Sequence, residues 1–232
     1  MRLRRDQGRS RTLILCALAS LTACSSNPSG PPPPVKPGSP EAKEGFVSLF
    51  NGNDLDGWDT SGSTQGSFSV EYGILTGHKG GNGWIRTEAE YSDFELRLEY
   101  RISRDGNSGV FFRAAADDPV YKGMEIQIRD DEGKPPNNHR TGALYDVIEP
   151  SDNMSRPTGE WNSLLLMCDG PNIKVRINGK TVINDTLDRF TEPVGEKFKT
   201  PYKDMPRRGH IGLQNHGDDV WYRDVRIREI GN

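Results

Sequence analysis

Hydrophobic and polar residues alternate with a period of two along much of this chain. In FELRLEYRI (94–102), Phe94, Leu96, Leu98, Tyr100 and Ile102 fall on one face and Glu95, Arg97, Glu99 and Arg101 on the other. That period marks a strand with one buried face. It predicts further strands at 46–50, at 68–77 around a Tyr72-Gly73 turn, and at 109–114, 124–129, 142–148, 161–168, 209–215 and 220–230. IKVRINGKTVIND (173–185) predicts a hairpin, because Asn178-Gly179 suits the left-handed pair of a type I′ turn. Many short strands, few helix-periodic stretches and no fixed-period repeat predict an all-β sandwich or jelly roll.

The N-terminus follows a different pattern. Arg2, Arg4, Arg5, Arg9 and Arg11 precede the apolar run LILCALASLTA (13–23), and Cys24 follows directly. The run is short for a bilayer span and reads as a secretory signal. Leu21-Thr22-Ala23-Cys24 has the form of a bacterial lipobox. The expected organisation is a signal peptide at 1–23, then a lipidated Cys24 with a Pro/Ser/Gly-rich linker at 24–44. A single jelly-roll domain at 45–232 completes it. Acyl chains on Cys24 would hold the protein at a membrane of the bacterial cell envelope, on its periplasmic or outer-membrane face, without a spanning helix. Four consecutive prolines make the linker an extended spacer.

Composition narrows the function. Of 232 residues, 33% are hydrophobic and 27% charged, with a formal net charge of −3 and no basic block in the body. Nucleic acid is not an expected partner. With Cys16 in the signal and Cys24 modified, Cys168 stands alone, and its apolar run LLLMC reads as a buried structural thiol.

Familiar catalytic signatures fail. Gly106-Asn107-Ser108-Gly109 lacks the acidic neighbour of a serine-protease nucleophile loop, so Ser108 reads as a turn residue. Gly179-Lys180-Thr181 lacks the earlier P-loop glycine and lies in a hairpin. No H-E-x-x-H or paired C-x-x-C occurs, which disfavours zinc. The acidic pairs at 117–118, 130–131 and 218–219 read as solvated turns. Two long polar segments, 130–142 and 189–208, have the length of functional or mobile loops.

What remains is a surface argument. In GMEIQIRD (123–130), Met124, Ile126 and Ile128 share one face, and an acid, an amide and a base, Glu125, Gln127 and Arg129, share the other. The same phasing turns Arg113, His210, Gln214 and His216 outward. Tyr145, Trp161 and the loop residue His139 come from other segments. Planar polar groups with an aromatic ring suit a sugar. Periodicity alone reads each of these as an ordinary solvated position, like the charges of 94–102, and spacing does not show that they converge.

A longer run of motifs carries a resemblance. LFNGNDLDGW (49–58) is followed in order by TEAEYSDFELRLEYRI, NSGVFFR, GMEIQIRD, HRTGALYDV, EWN, INGK, GHIGLQNHG and VWYRDVRI. Together they cover essentially all of residues 46–230, and the chain resembles the 3-keto-disaccharide hydrolase domain family. It departs from the family at Met124, where an aromatic is common, and at Tyr222-Arg223-Asp224, where Phe-Arg-Asn is usual. The resemblance implies a concanavalin A-like jelly-roll sandwich of two antiparallel sheets, with a sugar on the concave sheet. It implies an enzyme that cleaves 3-keto-glycosides by C2 proton abstraction and elimination of the C1 substituent, with or without hydration. Glu125 or His139 would then be the base. Arg113, Gln127 and Gln214 would bind hydroxyls or the enolate, with Asp130, Tyr145 and His216 as further substrate contacts and Trp161 stacking on the ring. A divalent metal ion on His139 with a nearby acid stays open. So does a non-catalytic carbohydrate-binding or envelope interaction module on the same fold.

Overall fold

A computed structural model describes residues 35–36, 38–194 and 198–231. The expected signal peptide, Cys24 and linker residues 25–34 lie outside the described residues. Among the described residues, thirteen strands form two antiparallel sheets. The larger sheet runs, in spatial order, β11 (Lys180–Thr186), β10 (Asn172–Ile177), β9 (Asn162–Asp169), β6 (Phe94–Ile102), β13 (Val220–Glu229), β4 (Ile74–Gly77) and β3 (Phe68–Glu71). A short β1 (Val47–Ser48) also pairs with β13. The smaller sheet runs β2 (Trp58–Asp59), β5 (Gly83–Tyr91), β12 (Gly209–Asn215), β7 (Asn107–Ala114) and β8 (Met124–Arg129). This is the jelly-roll sandwich that the alternation predicts.

The core lies between the sheets and uses the expected faces. Leu96, Leu98, Tyr100, Leu164, Leu166, Val175, Tyr222 and Ile227 enter it from the larger sheet. Ile85, Val110, Phe112, Met124, Ile126, Ile128, Ile211 and Leu213 enter from the smaller one. Each such side chain contributes about 1.5–3 kcal/mol by leaving water. Cys168 is part of this core, and burial pushes its thiol up to about 12, out of reach of thiolate chemistry at neutral pH. The Asn178-Gly179 turn has both residues at positive φ, as a type I′ turn requires.

Four expectations change. Residues 83–91, where the alternation predicts no strand, form the nine-residue β5. Only Ile85 and Thr87 mark its inward face, and the exposed Glu88-Ala89-Glu90 hides the period. Conversely, 142–148 is not a strand. Leu144 makes isolated bridges to Ile126 and Ile148, while Gly142 (φ +87°) and Asp146 (φ +65°) turn the chain. Ser108 is no turn residue but a buried member of β7. Its hydroxyl lies 2.8 Å from the Gln214 carbonyl and 2.5 Å from the Tyr222 hydroxyl, tying the two sheets together.

The fourth change concerns the charged face of β6, which is covered rather than open. Glu95 is 5% exposed and pairs with Arg97 and Arg228, both at 2.6 Å. Glu41, from the single-turn helix α1 (Pro40–Lys43), reaches Arg97 at 3.6 Å and Arg226 at 2.9 Å. Phe46 lies under the guanidiniums of Arg97 and Arg228. The last residues of the expected linker therefore pack on the domain.

The Tyr72-Gly73 turn carries a testable cost. Tyr72 is 95% exposed and sits at φ +51°, where a side chain other than Gly or Asn costs about 1 kcal/mol. Tyr72→Asn is expected to stabilise the protein by about 0.5–1 kcal/mol and to raise Tm by roughly 1–4 °C. An unchanged or lower urea midpoint would refute this.

Candidate active site

The outward face of the smaller sheet carries a cleft of about 350 Å³. Strand register builds its floor. Across β7 and β8, Phe111 stands opposite Glu125, Gly109 opposite Gln127 and Asn107 opposite Arg129. Gly212 of β12 faces Phe111 on one side and Arg86 on the other, and Gln214 faces Trp84. These residues are outward because their neighbours in sequence are core residues.

Two glycines make the floor low enough to use. A Cβ at Gly109 would fall within 2.8 Å of Cγ and Cδ of Glu125 and would collide with its carboxylate. The Glu125 side chain thus lies across the bare backbone of the neighbouring strand. A Cβ at Gly212 would likewise collide with the Trp84 ring. Trp84 meets Phe111 edge to face at 5.5 Å, and with Pro119 and Val120 they form an apolar wall.

The rest of the lining is polar. Gln127 is 2% exposed and donates from Nε2 to Asn107 Oδ1 at 3.1 Å. Asn215 donates to the carbonyls of Ser67 (3.0 Å) and His78 (2.8 Å), bracing the loops at the cleft's edge. Oε1 of Gln214 is buried, with no hydrogen-bond partner among the described residues. Arg129 adds a positive charge beside Asn107.

His139 and Tyr145 reach the cleft from the loop after β8, their rings 4.9 Å apart and inclined by 30°. The Nε2 of His139 is paired with the Asp146 carboxylate. Burial raises the Tyr145 pKa, the negative Asp146 and Glu125 raise it further, and Arg129 opposes them. The phenol therefore keeps its proton at neutral pH.

The structure brings together Glu125, His139, Gln127, Tyr145, Gln214 and His216, all on the cleft wall. Three expected residues lie elsewhere. Arg113 is fully buried. A bulge sets Gly212 opposite Phe111 but His210 opposite Ala114, so β7 holds one residue more than its partner. Arg113, at φ +47°, turns away and donates to Ser92 O (2.8 Å) and Asp93 Oδ1 (2.9 Å). Asp130 braces loops instead, accepting from Asp105 N (2.9 Å) and Thr158 Oγ1 (2.6 Å). Trp161 precedes β9 on the larger sheet, where Arg223 and Arg101 stack on it at 4.1 and 5.1 Å. His210 also misses the cleft, with Nδ1 on the Thr87 carbonyl at 2.8 Å.

Sequence reasoning passed over Asn107, Phe111, Trp84 and Asp146. Alternation held the signal for the first two, since Asn107, Gly109 and Phe111 oppose Ser108, Val110 and Phe112. Trp84 was hidden with β5, and nothing in the sequence ties Asp146 to His139. For a metal ion on His139, the set of acids is thin: among the described residues no three His, Cys, Asp or Glu side chains converge.

A two-sheet jelly roll with a polar, partly aromatic cleft on one sheet is an architecture of carbohydrate-recognising proteins. The particular family is equally plain. Residues 45–228 match the 3-keto-alpha-glucoside-1,2-lyase-like domain, and the chain belongs to that family. It is 25% identical to a 3-keto-disaccharide hydrolase of Bacteroides thetaiotaomicron, over 82% of this chain and 80% of that protein. A crystal structure of a candidate glycosyl hydrolase from Parabacteroides distasonis superposes with a TM-score of 0.71 at 28% identity, over 80% of this chain and 99% of that one. A carbohydrate binding module, CBM66, of Bacillus subtilis superposes at a TM-score of 0.51 and 17% identity, covering 75% and 96%, which shows a shared fold alone.

Gly109 gives a direct test of how Glu125 is placed. Its backbone is extended enough for alanine, so only the Glu125 side chain stands in the way. Gly109→Ala is expected to keep the fold, within about 1 kcal/mol, and to displace the Glu125 carboxylate in a crystal structure of the variant. A carboxylate that stays in place would refute the account.

Proposed function

We propose that this chain is a carbohydrate-active enzyme that cleaves 3-keto-glycosides. One observation carries the reading. A carboxylate, two imidazoles, a protonated phenol, a guanidinium and five amides gather around one cleft with an aromatic wall. The family membership and the name of the Bacteroides relative support the choice of substrate.

The chemistry suits these groups. A ketone at C3 acidifies the C2 proton. As the C2–H bond breaks, its electron pair forms C2=C3 and the C3=O3 π pair moves onto O3, giving an enolate. The O3 pair then re-forms the ketone while the C2=C3 pair shifts to C1=C2 as the C1–O bond breaks, and the aglycone oxygen leaves with the C1–O pair and takes a proton. Water added at C1, with a proton returned to C2, gives the free 3-keto sugar. Glu125 and His139 share the proton transfers. The Arg129 charge and the Tyr145 hydroxyl stabilise the enolate oxygen. Asn107, Gln127 and Gln214 hold ring hydroxyls, and Trp84 and Phe111 face the apolar side of the ligand. No strong nucleophile is required. The lipobox at Cys24 supports a place in the bacterial envelope, which we propose alongside.

The test uses residues 25–232 with a 3-keto-glucoside and, separately, its parent glucoside, following aglycone release by mass spectrometry. Release from the keto form alone is expected, and Glu125→Gln should lower kcat by about 10²-fold or more. Glycan binding with release from neither compound would overturn the enzyme and leave a binding module.

A further inference from the structure

We infer that Asp146 is a positioning residue: it fixes the tautomer of His139 so that Nδ1 is the nitrogen that accepts the C2 proton. The inference rests on the 3-keto-glycoside reading for its substrate but not for its geometry. Asp146 is not among the residues that line the cleft. Its carboxylate instead holds Nε2 of His139. A carboxylate acceptor fixes the proton on Nε2, which leaves the lone pair on Nδ1. Among the described residues no hydrogen bond is made to Nδ1, and His139 itself lines the cleft.

The loop is built to hold this pair. Asp146 occupies a left-handed conformation, φ +65°, that few residues other than Gly, Asn and Asp adopt. Its backbone N–H donates to Asn138 O at 3.0 Å, which closes the loop between the two partners. The Asn137 side chain accepts from the His139 backbone N–H at 2.8 Å. Tyr145 then covers one face of the imidazole, 4.9 Å away. The ring is thus fixed by a carboxylate at one nitrogen, an aromatic face and two loop hydrogen bonds. That is more ordering than a solvated loop histidine needs.

In the reaction, Nδ1 forms a bond to the departing C2 proton while the C–H electron pair forms C2=C3 and the C3=O3 π pair moves onto O3. The imidazolium that results is stabilised by the Asp146 carboxylate at Nε2–H. The proton is then free to pass to the leaving oxygen or to solvent, which returns the ring to its starting tautomer.

Asp146→Asn is the informative variant. Asparagine has the same shape and tolerates the left-handed backbone, so the loop should persist. Its amide offers an N–H as well as an oxygen and no longer enforces one tautomer. The first readout is the long-range ¹H–¹⁵N correlation spectrum of ¹⁵N-labelled residues 25–232 at mildly alkaline pH. Four histidines are present, and His139→Gln assigns the signal. The expected wild-type pattern has the proton on Nε2, and Asp146→Asn should mix or invert it. The second readout is turnover of the 3-keto-glucoside. Asp146→Asn should lower kcat by about 10²-fold or more and change KM little. In a His139→Gln background it should cost nothing further. A wild-type Nδ1–H tautomer, an unaltered tautomer in Asp146→Asn, or a loss confined to KM would overturn the inference. If the wild type turns over no 3-keto-glycoside, the functional reading fails, and the nitrogen spectra still decide the pairing.

Discussion

The smaller sheet has one face in the core, and that constraint dictates its other face. Ile85, Val110, Phe112, Met124, Ile126, Ile128, Ile211 and Leu213 all leave water on its inner side. At about 2 kcal/mol each, a one-residue slip of β8 alone would turn three of them to water and forfeit about 6 kcal/mol, comparable to the stability of an ordinary domain. The register is therefore rigid, and the intervening residues have no choice of side. Glu125, Gln127 and Arg129 point outward because Met124, Ile126 and Ile128 point in. The same rule places Gly109 and Gly212 on the outward rows, where missing side chains give Glu125 and Trp84 room to lie flat. Core packing thus positions the polar groups of the cleft.

The rule fails where the ladder is irregular, and those failures have structural uses. The bulge at the end of β7 turns Arg113 off the outward face. Its buried guanidinium then clamps Ser92 and Asp93 in the β5–β6 turn. Asp93 Oδ1 also accepts from Gly170 N at 2.8 Å, so the clamp extends to the β9–β10 turn. One extra residue converts an expected sugar ligand into a brace between the connections of both sheets. A bulge leaves no mark in a hydrophobic pattern, because Phe111, Phe112 and Arg113 read equally well in either phase.

Long periodic strands were therefore legible in the sequence, and so was the polar row on β8. Residues that work through non-local partners were not. Trp161 has the composition of a stacking platform, yet its ring is taken by Arg223 and Arg101 on the opposite sheet. Asp130 sits one residue beyond the β8 row and belongs to a loop network with Asp105 and Thr158. Spacing gives the side of a strand. It does not give the strand's neighbours, and those decide whether a polar side chain meets ligand, solvent or another side chain.

The segment 142–148 shows how the loop and the sheet become one unit. It reads as a strand because part of it behaves as one. Gly142 N donates to Gln127 O at 2.9 Å, Gln127 N to Ala143 O at 3.0 Å, and Tyr145 N to Glu125 O at 3.0 Å. These bonds run along the edge of β8 that β7 leaves free, and they cover it. Left-handed residues at Gly142 and Asp146 cut the pairing short on either side. The backbone that carries Tyr145 is thus hydrogen-bonded to the backbone that carries Glu125, and His139 is tied to the same segment through Asp146. A carboxylate and an imidazole drawn from a strand and a long loop would ordinarily lose geometric definition to loop motion. Here the loop is laced to the sheet edge, so the carboxylate and the imidazole are held by a single hydrogen-bonded ladder.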